Sequence, residues 1–258
     1  KQVKVTLEGE NAFEEITAEV RARAEYVQSQ TESYAEGKMS LAMLAFMTGI
    51  SSIDVMVGLA EVGTPYRVAI GLEQERIDAF SAIAANDRRG CVVDGATLHC
   101  IRRLGLESAV EAICGKIGIA QATADHYSER LQALDMLGTG NGGTMGYRDG
   151  RLHFVERNAD ETARTRALIE GDIAWLRASA DVVPAVPMQD PPAFMRRLGM
   201  IKGARFFDEI YAASGSGRML LVDDLFTRQA AGQLGVKGVW LQPVLMKARD
   251  RKLLSVTD

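Results

Sequence analysis

Gly90-Cys91-Val92-Val93-Asp94 is an apolar run that stops on a carboxylate, and Arg218-Met219-Leu220-Leu221-Val222-Asp223-Asp224 repeats the pattern far downstream. Each run is too short for an ordinary helix and shows no alternation of apolar with polar residues, so both read as strands buried on two faces. Lys116-Ile117-Gly118-Ile119-Ala120 and Lys237-Gly238-Val239-Trp240 fit the same description. Helical spacing follows the first three runs, over Thr97 to Leu106, Thr123 to about Leu137 and Leu225 to Gln233. Continuous strands alternating with helices predict an α/β fold around a central, mostly parallel sheet flanked by helices.

Upstream of the first strand the texture is helical. Phe13, Ile16, Val20, Ala24 and Val27 recur at spacings of three and four between Asn11 and Tyr34, with Asn11 placed to cap the helix. Leu41 to Met47 and Ile53 to Leu59 are shorter helices separated by Gly49 and Ser51-Ser52, and Tyr66 to Ala85 is a helix beginning just after Pro65. Met39, Met43, Met47 and Met56 read as helix-to-helix core, since Met fills irregular gaps. Residues 1–88 are therefore expected as a mainly helical extension packing on the sheet, and residues 89–258 as the α/β domain. Within the latter, Asp149-Gly150 between alternating apolar residues predicts a hairpin insertion near 143–156 that projects from the sheet. Gly138 to Gly143 lacks the Lys-Ser/Thr ending of a phosphate loop and leads into a strand, so it reads as a linker. Thr162 to Ala178 is expected as a helix, and Val182 to Pro192, with four of the six prolines, as an extended loop.

The 258 residues carry 30 basic and 34 acidic side chains, a formal charge of −4, with 47% hydrophobic and 25% charged residues. That balance excludes a disordered, collagenous or coiled-coil chain and gives no support to bulk nucleic-acid binding through net charge. The three cysteines, Cys91, Cys100 and Cys114, have no metal-ligand spacing and are expected to be reduced. No window of about 18 apolar residues without a charge occurs, so the chain is expected in the cytoplasm, away from membranes. A start at Lys1, running straight into the strand-like Val3-Lys4-Val5-Thr6-Leu7, is expected of a piece cut from a longer polypeptide or of a processed chain.

Ligands of an open parallel sheet bind beyond the carboxyl ends of its strands, where strand order switches. Asp94 ends the first run there, Asp125 opens the helix after the second, and Asp223-Asp224 end the third; Asp208-Glu209 lie on the helix feeding the third. Carboxylates gathered on one rim repel one another unless a divalent cation holds them, and hard oxygen ligands select Mg²⁺ or Mn²⁺. The constellation points to metal-assisted phosphodiester chemistry.

Those residues also carry a resemblance. Cys91-Val92-Val93-Asp94-Gly95-Ala96-Thr97-Leu98-His99, followed by Arg103-Leu104-Gly105-Leu106, resembles the opening of a PIN-domain nuclease. Leu220-Leu221-Val222-Asp223-Asp224-Leu225-Phe226-Thr227-Arg228 is similar to that family's late strand, Phe207-Asp208-Glu209-Ile210-Tyr211-Ala212-Ala213 to the Asp-containing helix before it, and Gly235-Val236-Lys237-Gly238-Val239-Trp240 to its closing strand. The likeness runs from about Gly90 to Met246 and is nearest to a bacterial subgroup found at the C-terminus of tetratricopeptide-containing proteins. One position departs: the family usually has a Glu three residues after a Thr on the helix following the second strand, and counting from Thr123 that slot holds His126, with Asp125 beside it and Glu129 one turn on.

The resemblance implies a metal-dependent endoribonuclease. Asp94 and Asp224 would hold Mg²⁺ or Mn²⁺, with Asp208, Asp223 and either Asp125 or Glu129 as the remaining candidates, and the ion would activate a water against the phosphate. Thr97, Arg103, Arg205 and Arg228 are the candidate substrate contacts, alongside the cations Arg88-Arg89, Arg102, Arg196-Arg197, Lys202 and the basic end Lys247 to Lys252. RNA as substrate rests on the resemblance alone. Upstream domains of the same polypeptide and a second copy of the chain are the other expected partners. His126 in an acid's place keeps a second reading open, a catalytically degenerate PIN-like scaffold or protein-interaction module. A receiver-type domain is disfavoured, because its Lys belongs after the last strand and Lys237 begins that strand. His99, His126 and His153 have no zinc spacing, and Ser214-Gly215-Ser216-Gly217 reads as a turn.

Overall fold

The computed structural model describes residues 12–68, 72–136, 143–148, 150–156, 158–202 and 204–254. The strand-like start at Val3 to Leu7, the Asn11 cap, the linker glycines before Gly143 and the turn residue Asp149 lie outside them. Four helices come first: α1 (Ala12–Ala35), α2 (Leu41–Thr48), α3 (Ser52–Glu61) and α4 (Glu73–Asn86). The Ser40 hydroxyl accepts from Met43 N–H to start α2, Gly49 stops it in the left-handed conformation at φ 69°, and the Ser51 hydroxyl accepts from Asp54 N–H to start α3. A stop and a start so close in sequence bend the two apolar helices by 99°. Among the described residues, no single helix is long and apolar enough to cross a membrane.

The helix expected from Tyr66 begins instead at Glu73. Tyr66 packs against a small core of Tyr34, Leu41, Leu44, Val55, Leu59 and Ala96, which ties the first three helices together. Burial in that cluster takes Tyr66 out of the helix that local spacing predicted.

The α/β part runs β1 (Cys91–Val93), α5 (Gly95–Arg103), α6 (Glu107–Cys114), β2 (Ile117–Ala120), α7 (Gln121–Met136), β3 (Gly143–Arg148), β4 (Arg151–Glu156), α8 (Ala159–Ser179), β5 (Asp181–Val183), α9 (Ala193–Lys202), a 3₁₀ turn (Ala204–Phe207), α10 (Asp208–Ser216), β6 (Met219–Leu221), α11 (Leu225–Gln233), β7 (Gly238–Val239) and α12 (Leu241–Asp250). Five strands form one parallel sheet in the order β5-β2-β1-β6-β7. From β1 the chain builds outward to β2 and β5, then returns to place β6 and β7 on the other side. The switch in strand order therefore falls between β1 and β6, paired in register from Cys91 opposite Met219 to Val93 opposite Leu221.

Alternate strand residues feed two cores. Cys91, Val93, Ile117, Ile119, Met219 and Leu221 face Ala79, Ile83, Leu98, Val110, Trp240 and Val244 on one side. Val92, Ala120, Leu220 and Val222 face Phe207, Ile210, Ala212, Ala213 and Ala231 on the other. All three cysteines are free thiols, and Cys91 and Cys114 are buried. The hairpin β3-β4 pairs antiparallel as a sheet of its own, where the guanidinium of Arg21 on α1 lies 4.8 Å from the Tyr147 ring centroid. Besides the later start of α4, and α6 and α9, which the sequence did not announce, three further elements depart from expectation. Asp181 to Val183 adds an edge strand just where the proline-rich loop was expected, α12 forms in the C-terminal basic segment, and Ser214 to Ser216 close α10, with Gly217 as its left-handed cap at φ 66°.

The extension reaches into the larger core as well as its own. Ile53 belongs to the cluster under β1, and a Cβ at Gly95, the first residue of α5, would lie 3.1 Å from the Ile53 Cδ1. Glycine there allows α3 to close on the start of α5.

Candidate active site

Helices that leave parallel strands begin at the carboxyl rim, and a helix feeding the next strand runs back antiparallel and begins there too. α5, α7, α10 and α11 accordingly present their first turns to the rim beside the β1/β6 switch.

Asp94 caps α5, its carboxylate accepting from Ala96 N–H at 3.3 Å and Thr97 N–H at 3.2 Å. Removal from water pushes its carboxyl up to about 7; the Thr97 hydrogen bonds pull it down, while the neighbouring Glu209 and Asp223 charges add to the rise. Glu209, in the first turn of α10, accepts at 2.7 Å from the hydroxyl of Thr123 on α7. Burial raises its pKa as well, against that hydrogen bond. Asp224 caps α11: one oxygen accepts from Thr227 N–H at 2.9 Å and from the Thr227 hydroxyl at 3.2 Å. Its other oxygen accepts at 2.8 Å from Ala42 N–H, in the first turn of α2.

A cavity of about 350 Å³ opens among these groups. Asp94, Glu209, Asp224, Thr123 and His126 line one side, and α2, the Gly49 to Ser52 link and Ile53 line the other, with Arg205 and Phe206 also in the wall. The extension thus forms half of the cleft. The buried His126 Nε2 has no hydrogen-bond partner and lies 3.8 Å from Asp54 Oδ2 of α3, whose other oxygen pairs with Arg130 at 2.8 Å. Burial lowers the His126 pKa, against the raising effect of the Asp54 charge.

The other acids named from sequence do not line the cleft. Asp125 faces outward on α7 and pairs with Arg205 at 2.6 Å; the hydrogen bond from Gln121, and then that from Arg205, hold its carboxyl below the usual range. Asp208 is half-buried, one helix position away from the side that reaches Thr123. Glu129 is largely exposed, 4.0 Å from His126 Nδ1. Asp223 is buried beneath the rim, where its carboxylate accepts from Leu241 N–H at 2.8 Å and its own N–H donates to the Thr97 hydroxyl at 2.9 Å. Asp223 and Thr97 are therefore fixed into the fold. Among the substrate candidates, Arg103 joins Arg102 on the buried Asp172, and Arg228 is buried, donating to the Val222 and Asp223 carbonyls and to Glu75. Arg205 alone of the four lines the cleft. Choosing between Asp208 and Glu209 from sequence would have required the roll of α10, which buries Ile210, Tyr211, Ala212 and Ala213 in succession and so shows no stripe. The one usable signal was Thr123, whose hydroxyl selects Glu209.

Among the described residues, no three His, Cys, Asp or Glu side chains stand close enough to hold an ion as they are. The donor chemistry nonetheless suits a hard divalent cation: Asp94 and Glu209 are recessed carboxylates that burial leaves short of compensating charge, and Asp224 completes an all-oxygen set on the same cleft. Asp224 is engaged on both oxygens, by Thr227 at the α11 cap and by Ala42 N–H.

A family model described as "PIN domain associated with the TPR-GreAB-C-PIN system" matches residues 92–232, a span that starts in β1, ends in α11 and carries Asp94, Thr123, Glu209 and Asp224. No curated protein and no solved structure matches the chain. The matched span is more than half of the 258 residues, so the chain belongs to the family of PIN domains associated with the TPR-GreAB-C-PIN system.

Proposed function

We propose that this chain is a divalent-metal-dependent endoribonuclease whose acid set is Asp94, Glu209 and Asp224. PIN domains generally use divalent metals, and the fold is of the nuclease type. The observation that carries the reading is the pair Asp94 and Glu209 near the strand-order switch, two part-buried carboxylates lining one cleft. When bound, the ion supplies an activated water and neutralises charge on the departing oxygen. The chain's own part is positional. Ala96 and Thr97 N–H aim Asp94 through its two oxygens, the Thr123 hydroxyl aims Glu209 through one, and Thr227 and Ala42 aim Asp224 through its two. Arg205, on the cleft wall with its side chain 64% exposed, is placed to meet a substrate phosphate once it leaves Asp125.

The test is Mn²⁺-stimulated cleavage of single-stranded RNA by the intact chain and by Asp94→Asn, Glu209→Gln and Asp208→Asn. Loss in the first two with activity kept in the third supports the reading, whereas cleavage unaffected by Asp94→Asn or Glu209→Gln rejects it. A second reading, a silent PIN scaffold, is favoured by one observation: Ala42 N–H occupies the free oxygen of Asp224. No Mn²⁺ binding by calorimetry would establish it.

A further inference from the structure

The cleft holds more than acids. Phe46 from α2 and Phe206 from the 3₁₀ turn line it together, their ring centroids 5.8 Å apart at an interplanar angle of 69°. Both rings are partly exposed. Phe206 is fixed from behind, with its centroid 4.9 Å from that of the buried Phe207, which in turn packs edge-on to Phe194. The next residue back in the chain is Arg205, whose guanidinium reaches the rim. The cleft therefore presents three chemistries: carboxylates, an aromatic wall and a cation.

The two rings join α2 to the 3₁₀ turn and Phe206 packs on the core, and the ring area that this packing leaves exposed in the cleft suits a ligand with an apolar face. An unpaired nucleobase has one, and it carries its own phosphate at a fixed distance. In a duplex the base faces are covered by their neighbours, and a cavity of about 350 Å³ admits a ligand of one-nucleotide scale rather than a double helix. We propose that Phe46 and Phe206 form a subsite that stacks one unpaired base of single-stranded RNA next to the scissile phosphate, with Arg205 on the adjoining phosphate. The inference takes its ligand class from the nuclease reading above. It gives the helical extension a direct part in substrate recognition, because Phe46 lies outside the matched family span of 92–232.

The experiment separates binding from cleavage. Asp94→Asn protein is titrated against a short single strand carrying 2-aminopurine, a base whose fluorescence is quenched by stacking, and against the same strand annealed to its complement. Quenching with the single strand and none with the duplex is expected. Phe46→Leu and Phe206→Leu keep apolar volume while removing the ring, and each is expected to abolish the quench and weaken binding roughly 5- to 150-fold, the range for one base–aromatic stack. Thermal melting of each Leu variant confirms that it is folded; if either is not, Phe46→Trp, which enlarges the ring, is expected to deepen the quench. Equal quenching by duplex, or quench and affinity unchanged by both folded Leu variants, overturns the subsite. The two readings part cleanly: stacking by a chain that never cleaves rejects the nuclease and leaves the subsite, and cleavage indifferent to Leu at both positions does the reverse.

Discussion

Asp94 meets opposite demands. As a helix cap it must be an acceptor, yet burial and the nearby Glu209 and Asp223 charges hold its carboxyl at about 7. Because the folded-state pKa lies above the unfolded value of about 3.9, the folded chain binds the proton more tightly, and this site's contribution to stability is fully present below pH 4 and lost as pH rises through 7. Metal-free wild type is therefore expected to melt lower at pH 8 than at pH 6, by a margin that shrinks in Asp94→Asn or when Mn²⁺ is added; a margin equal in both proteins would contradict the assignment. The neighbouring pair separates in another way. Asp223→Ala strands the buried Leu241 N–H and should cost about 1–3 kcal/mol of stability. Asp224→Asn keeps an acceptor for Thr227 at the α11 cap but turns an amide NH₂ on Ala42 N–H, so a stability loss of about 1 kcal/mol is expected alongside the loss of Mn²⁺-stimulated cleavage. Chemical denaturation and an RNA cleavage assay on both variants check this.

At the scale of elements, the contact between α2 and Asp224 sets a competition. The same carboxylate oxygen cannot serve Ala42 N–H and an ion equally well, so Mn²⁺ is expected to speed hydrogen exchange at the Ala42 amide while leaving Thr227, bonded to the other oxygen, protected. Unchanged exchange at Ala42 under saturating Mn²⁺ would mean that Asp224 takes no part in the site. This element-to-element contact was invisible in the sequence, where Asp224 reads only as the end of a strand. The strands themselves were legible, because β1, β2 and β6 are continuous apolar runs and a parallel sheet buries both faces. β5 was not, since three residues on an edge, only Val183 of them buried, carry too little pattern ahead of the prolines. α12 was hidden by Pro243, which falls in its first turn and costs the helix nothing there. Of the site, Asp94 and Asp224 could be read as strand-end carboxylates; Glu209 depended on a hydroxyl supplied by a different helix.

For the molecule as a whole, the question is how far the helical extension is a separate part. α4 is not, since Ala79, Ala82 and Ile83 sit in the core beneath β1 and β6. α1 to α3 hold a core of their own, but touch the sheet domain through Ile53 on Gly95, Ala96 in the small cluster, Asp54 on Arg130 and Ala42 on Asp224. Two cuts are therefore expected to behave differently. Residues 88–258 lose α4, uncover one face of a parallel sheet and should be insoluble, whereas residues 72–258 keep that face covered and should fold with a lowered melting temperature and an open cleft. A point control isolates the joint: Ile53→Ala removes the side chain that closes on α5 and should cost about 2–5 kcal/mol. Sedimentation and thermal melting decide between the pictures. A stable monomer from 88–258 would show that α4 merely leans on the sheet, and a 72–258 chain as stable as the whole would show that α1 to α3 contribute only to the cleft.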